Sequence, residues 1–276
     1  MISSKKSWRG AEGKSHLSFI LSNLCGFLFL FLVPSIHMGV VQRIWVTKPP
    51  VDKGKCTCDC WDTIFKGSYE GMSPNYRSGY KHIYFNVTSN VLFIWGISLL
   101  FLLWTFQCVR FITQLILHGH LRISMVIVVG GSIYPHYYSW WMWFNYLNDE
   151  FYSQWNHQMF FSITELAATS IALYLCDSRV DYNTRLLLCM ISIASAHIFI
   201  SASDQFLHNL FIGNETFKKS RDIGFLIGDC LTVLLGAFDI LRYSKDNGLG
   251  RWAVSSNEVG ACAIFVTFLV LVATLL

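Results

Sequence analysis

Seven blocks of about 20 mostly apolar residues run through this chain, and they constrain its fold more than any other feature. A helix rises about 1.5 Å per residue, so blocks of that length match a hydrocarbon core about 30 Å thick. The blocks fall at Leu17 to Val41, Val91–Phe111, Ile123–Trp143, Met159–Leu175, Leu186–Ala202, Ile223–Leu241 and Val259–Leu276. Only 14% of the 276 residues are charged, too few to coat a water-soluble surface, where about a quarter is usual. The expected fold is an all-α polytopic membrane protein with about seven transmembrane helices. Residues 1–276 form a single membrane domain, without a linker or an internal repeat.

The basic residues Lys5, Lys6, Arg9 and Lys14 precede the first block. Residues 1–16 therefore read as a cytosolic basic leader to a retained first helix, since no small-residue cleavage site follows the long apolar run. A modest excess of Lys and Arg on the same side places the N-terminus in the cytosol and the C-terminus outside it. The sequons at Asn86 and Asn214 then fall on the extracytosolic side, as glycosylation requires. The expected location is an integral membrane protein of the secretory pathway, in the endoplasmic reticulum or the plasma membrane.

The longest polar segment, residues 42–90, is expected to form a structured extracytosolic loop between helices 1 and 2. It holds Cys56, Cys58 and Cys60, candidates for a disulfide within the loop or to a partner. Free thiols are one alternative, and a C-x-C-x-C thiolate metal site is the weaker one, because zinc wants four ligands. Cys108 and Cys176 fall at the inner boundary, where S-palmitoylation competes with an unmodified thiol.

Between His136 and Trp155 the chain reads "HYYSWWMWFNYLNDEFYSQW", with ten aromatic residues in twenty. Tyr and Trp gather at headgroup level because their rings are apolar while the O–H or N–H wants a polar partner. Tyr137, Tyr138, Trp140, Trp141, Trp143 and Trp155 are thus expected as an interfacial contact surface for membrane lipids or a membrane-protein partner. Pro135 should kink the third helix just before this stretch. Gly130, Gly131 and the small residues Ala167 to Ala172 allow helices to approach closely.

Ionisable groups inside a membrane are costly and mark functional candidates. Four stand out: His136 in helix 3, Glu165 in helix 4, His197 in helix 5 and Asp229 in helix 6. Two imidazoles and two carboxylates suit cation binding, a proton relay or a zinc hydrolytic centre. The alternative is plain pairing between helices, each His satisfying one acid, or Glu165 staying protonated and bonding a backbone carbonyl. Asp239 and Arg242 are expected to pair or to reach water. Seven helices with a cytosolic N-terminus are also the arrangement of adiponectin receptors and alkaline ceramidases. The histidine pair of those families has no counterpart in the last block, "VGACAIFVTFLVLVATLL", so the similarity ends at the helix count.

No catalytic residues, metal or cofactor are assigned from sequence, and no basic stripe suggests nucleic acid. The leading expectation is a non-enzymatic multi-pass subunit or scaffold of a larger membrane complex, in contact with lipid in a lipid-handling or trafficking assembly. The alternative is a small transporter or membrane-embedded enzyme built on the four intramembrane residues.

Overall fold

The computed structural model describes residues 2–36, 89–149, 155–203, 216–249 and 253–276. Among them there are seven helices and no strand: α1 (Ile2–Ile36), α2 (Ser89–His118), α3 (Ile123–Asp149), α4 (Trp155–Leu175), α5 (Thr184–Ser203), α6 (Thr216–Asp246) and α7 (Ser256–Leu275). Five of these, α2, α4, α5, α6 and α7, are long and apolar enough to cross a membrane, which marks the chain as a membrane protein. The apolar run of α1, His16–Leu32, is shorter. α3 carries Tyr and Trp in place of aliphatic residues along its second half. Cys56, Cys58, Cys60, Asn86 and Asn214, with the whole 42–88 stretch, lie outside the described residues.

Several helices extend past the apolar blocks that announce them. α6 begins at Thr216 and takes in Lys218, Lys219, Arg221 and Asp222, while α1 takes in the basic leader. Hydrogen bonding carries a helix on until a cap or a breaker stops it, whatever the polarity of the residues. At the end of α2 the stop is Gly119, whose φ of 71° is the left-handed conformation favoured at a helix C-terminus. At the start of α5 it is Asn183, whose side-chain carbonyl accepts from the Arg185 and Leu186 amides. At α7 a capping box joins Ser255 and Glu258, and Arg185 reaches Glu258 at 3.2 Å, tying α7 to the start of α5.

Helices α3, α4, α5 and α6 close a ring in which each packs on two neighbours. α7 packs on α5, α2 on α3, and α1 on α2. One end of the ring is filled by Met125, Val128, Ala172, Leu175, Leu187 and Met190, all at most 1% exposed. The apolar residues that remain exposed lie on the outer faces, Leu100, Ile163, Leu234 and Ile264 among them, as expected of helices solvated by hydrocarbon rather than water.

The closest approach in the ring joins α3 to α6. A Cβ on Gly228 would lie 3.0 Å from the Gly131 carbonyl oxygen, and one on Gly131 would lie 3.3 Å from the Gly228 Cα. That carbonyl has no N–H four residues on, because Pro135 sits within α3. Of the expected glycine pair, Gly131 makes the contact, whereas a Cβ on Gly130 would meet nothing within 4 Å.

The 119–122 and 176–183 connections dock against each other through the Leu121–Asp177 bridge. Arg122 donates to the Leu175 and Val180 carbonyls at 2.6 and 3.0 Å and lies over the Tyr182 ring. Asp177 makes a forked pair with Arg179, which holds its carboxyl down at about 2.

Two outcomes follow from these contacts. Gly228→Ala should cost about 1–3 kcal/mol through overpacking against α3, seen as a lower unfolding temperature in detergent, whereas Gly130→Ala should leave that temperature unchanged. The Asp177 carboxyl has a folded pKa below its ordinary 3.8, so its contribution is complete above that value and disappears as pH falls through about 2. Arg179→Met should therefore flatten the wild-type loss of thermal stability between pH 4 and pH 2.

Candidate functional site

The four intramembrane candidates do not converge as one set. Three of them do. His197 of α5 points Nδ1 at Asp229 Oδ1 of α6, 3.4 Å away, and at Glu165 Oε2 of α4, 3.7 Å away. One ligand-type atom from each of the three residues lies within 4.8 Å of the others. The Ser132 hydroxyl of α3 adds a hydrogen bond to Glu165. Each helix of the ring thus contributes one side chain to a single polar layer.

The opposite face of the His197 ring is equally defined. Nε2 lies 2.7 Å from Thr164 Oγ1, whose hydroxyl donates to the Phe160 carbonyl at 2.8 Å. Phe161 packs against the imidazole with ring centroids 5.0 Å apart. The His197 side chain is only 5% exposed, while Glu165 and Asp229 keep 13% and 15% of theirs accessible. The imidazole is sealed in, and the two carboxylates are nearly so.

His136 is buried but belongs elsewhere. Its Nε2 meets Thr169 Oγ1 at 2.9 Å, and the Trp104 ring of α2 packs edge-on at 4.9 Å. The expectation that each His satisfies one acid is therefore corrected: one His faces both acids, and the other is satisfied by a threonine.

Asp239 does not pair with Arg242 either. Arg242 faces Asp246 at 3.8 Å, both well exposed. Asp239 is 1% exposed, accepts from Ser124 Oγ at 2.5 Å, and is hydrogen-bonded by Tyr182. Burial together with that bond pushes the Tyr182 phenol up to about 12. Sequence reasoning missed Tyr182 and Ser124 as partners, since neither carries a charge and both sit near helix ends.

The aromatic stretch stitches helices together. Trp140 Nε1 donates to Ser98 of α2 at 3.3 Å and Trp143 Nε1 to Ser162 of α4 at 3.2 Å. Trp140 stacks on Phe101, Trp143 lies 4.9 Å from Trp155, and Tyr134 and Tyr138 flank Phe225 of α6. Tyr137 packs 6.0 Å from Trp140. The side chain of Trp141 lies outside the described residues. These rings hold α3 against α2, α4 and α6, and so support the polar layer from the side.

Cys176 is fully buried, and burial pushes its thiol up to about 12. A thiolate is the nucleophile in acylation, so Cys176 is withdrawn as a palmitoylation site. Acyl-exchange labelling of the membrane-extracted protein should leave it unmodified.

The chain belongs to DUF8801, a family of unknown function, which it matches over residues 19–276. No curated protein and no solved structure matches it.

Proposed function

We propose that this is a small membrane transporter that takes up and releases a cation at the Glu165–His197–Asp229 layer. The observation that carries this reading is the meeting of one imidazole and two carboxylates, drawn from α4, α5 and α6, in the core of the ring. Two acids facing one base across helix interfaces can change charge state when a cation arrives or leaves. Such a change alters the cost of burying the layer, and a helix rearrangement that admits water would lower that cost. In the accompanying topology all seven helices cross, with the N-terminus cytosolic and the 42–90 loop, Asn86 and Asn214 extracytosolic in the secretory pathway.

A second reading, a subunit or scaffold in contact with lipid and membrane partners, draws on α1 and α2. Their faces leave Phe31, Leu92, Phe93 and Leu100 exposed, a surface that suits acyl chains and a neighbouring helix alike.

The reading is tested by pH jumps on proteoliposomes adsorbed to a solid-supported electrode, in the presence of a metal chelator. Wild type should give a transient current as the layer charges. Glu165→Gln combined with Asp229→Asn should reduce it to the level of empty liposomes while keeping the wild-type elution profile and helix content. Wild type without such a current, or a double variant that retains it, would sink the transporter reading. A protein that leaves native membranes only with stoichiometric partner proteins would favour the subunit reading.

A further inference from the structure

We infer that the cation held by Glu165, His197 and Asp229 is a divalent transition metal ion of the zinc class, with Nδ1 of His197 as its nitrogen ligand. This rests on the reading of the layer as a cation site and goes on to name the cation.

The first step is the tautomer of His197. A threonine hydroxyl has one proton. That of Thr164 is directed to the Phe160 carbonyl, which can only accept. The Thr164 oxygen therefore accepts from Nε2 of His197, and Nε2 carries the N–H. In the neutral ring, Nδ1 is then a lone pair. It faces Asp229 and Glu165 oxygens, which are lone pairs too. Three acceptors from three helices surround one point, and a positive charge is needed there to hold them together.

Nδ1 can meet Asp229 through a proton, in a hydrogen bond longer than the about 2.7–2.9 Å of a well-closed charge-assisted one, or it can meet both carboxylates through a metal. Around a tetrahedral ion with bonds of about 2.0–2.2 Å, neighbouring ligand atoms stand about 3.3–3.6 Å apart. The spacing of Nδ1 from both carboxylates corresponds to that tetrahedral edge, give or take a few tenths of an ångström. Charge is consistent with the metal: a divalent ion neutralises both carboxylates, and buried charge is tolerated only when balanced.

The donor set narrows the metal. Magnesium and calcium favour all-oxygen shells, while an imidazole with carboxylates suits zinc and its first-row neighbours. Three protein ligands leave a fourth position open for water or a fourth donor. The outer shell is also in place: Thr164 orients the ligating ring and Ser132 steadies Glu165, the arrangement by which ligands are held in register.

The test uses the full-length protein in detergent, with Cys56, Cys58 and Cys60 changed to Ser so that loop thiols contribute nothing. After chelator treatment, cobalt(II) is titrated and its visible d–d absorption recorded, and zinc is then added as competitor. We expect one cobalt per chain with the intense bands of a tetrahedral site, displaced by zinc. His197→Ala and Asp229→Asn should lose the bands, and His136→Ala should keep them. Thr164→Val, which leaves all three ligands in place, should weaken binding about 10–100-fold, so the inference does not depend on a ligand variant that misfolds. A folded wild type that gives no tetrahedral cobalt spectrum overturns the inference, as does a His197→Ala protein that binds cobalt as well as wild type. Wild-type pH-jump currents without cobalt binding would remove the metal and leave the cation-handling reading standing. Cobalt binding without those currents would do the reverse.

Discussion

The structure depends on bringing two carboxylates and an imidazole together among helices whose outer faces are hydrocarbon-like. An isolated carboxylate in such surroundings is costly by several kcal/mol. The cost falls only when partners from other helices arrive together, so the layer works as a set of ties between elements. Glu165 reaches α3 through Ser132 and α5 through His197, and His197 reaches α6 through Asp229. Remove one member and the remaining charges face each other with less to balance them. The α3–α6 ring and its polar layer are in this sense one feature.

What lets the layer form is the close approach on its flank. Gly131 and Gly228 bring the α3 and α6 backbones into contact, and Asp229 is the residue next to that contact. A larger side chain at either glycine would push α6 outward and carry Asp229 away from His197. Pro135 acts in the same place, since it leaves the Gly131 carbonyl without its usual donor and so free to meet α6. On the other flank, the Trp143–Ser162 and Trp140–Ser98 bonds fix α3 against α4 and α2. The dense aromatic stretch is therefore part of what positions the site.

Much of this was legible in the sequence, and the boundary of legibility is physical. The length of the apolar blocks told where the helices lie, because hydrocarbon thickness sets a length scale that composition alone displays. It did not tell where they end, since Thr216 to Asp222 of α6 continue the helix in polar residues. The cost of burying charge likewise picked out Glu165, His197 and Asp229. It picked out His136 by the same logic, and only the packing of α3 shows that His136 meets Thr169 and Trp104 instead. The facing of a helix is decided by tertiary contacts. In helices this uniformly apolar, no hydrophobic stripe records it.

The acids of α6 show why Asp229 is the one to take as functional. Asp222, Asp229 and Asp239 all lie on this helix, and the last two are separated by about 15 Å of rise. Asp222 has the Arg221 guanidinium at 2.6 Å. Asp239 takes the Ser124 hydroxyl at 2.5 Å and a bond from Tyr182, which is how a buried acid looks when its role is to hold helices together. Asp229 instead has Nδ1 of His197 as its partner, at the longer distance of 3.4 Å. The longer spacing at Asp229 is the room that the proposed ion would take up.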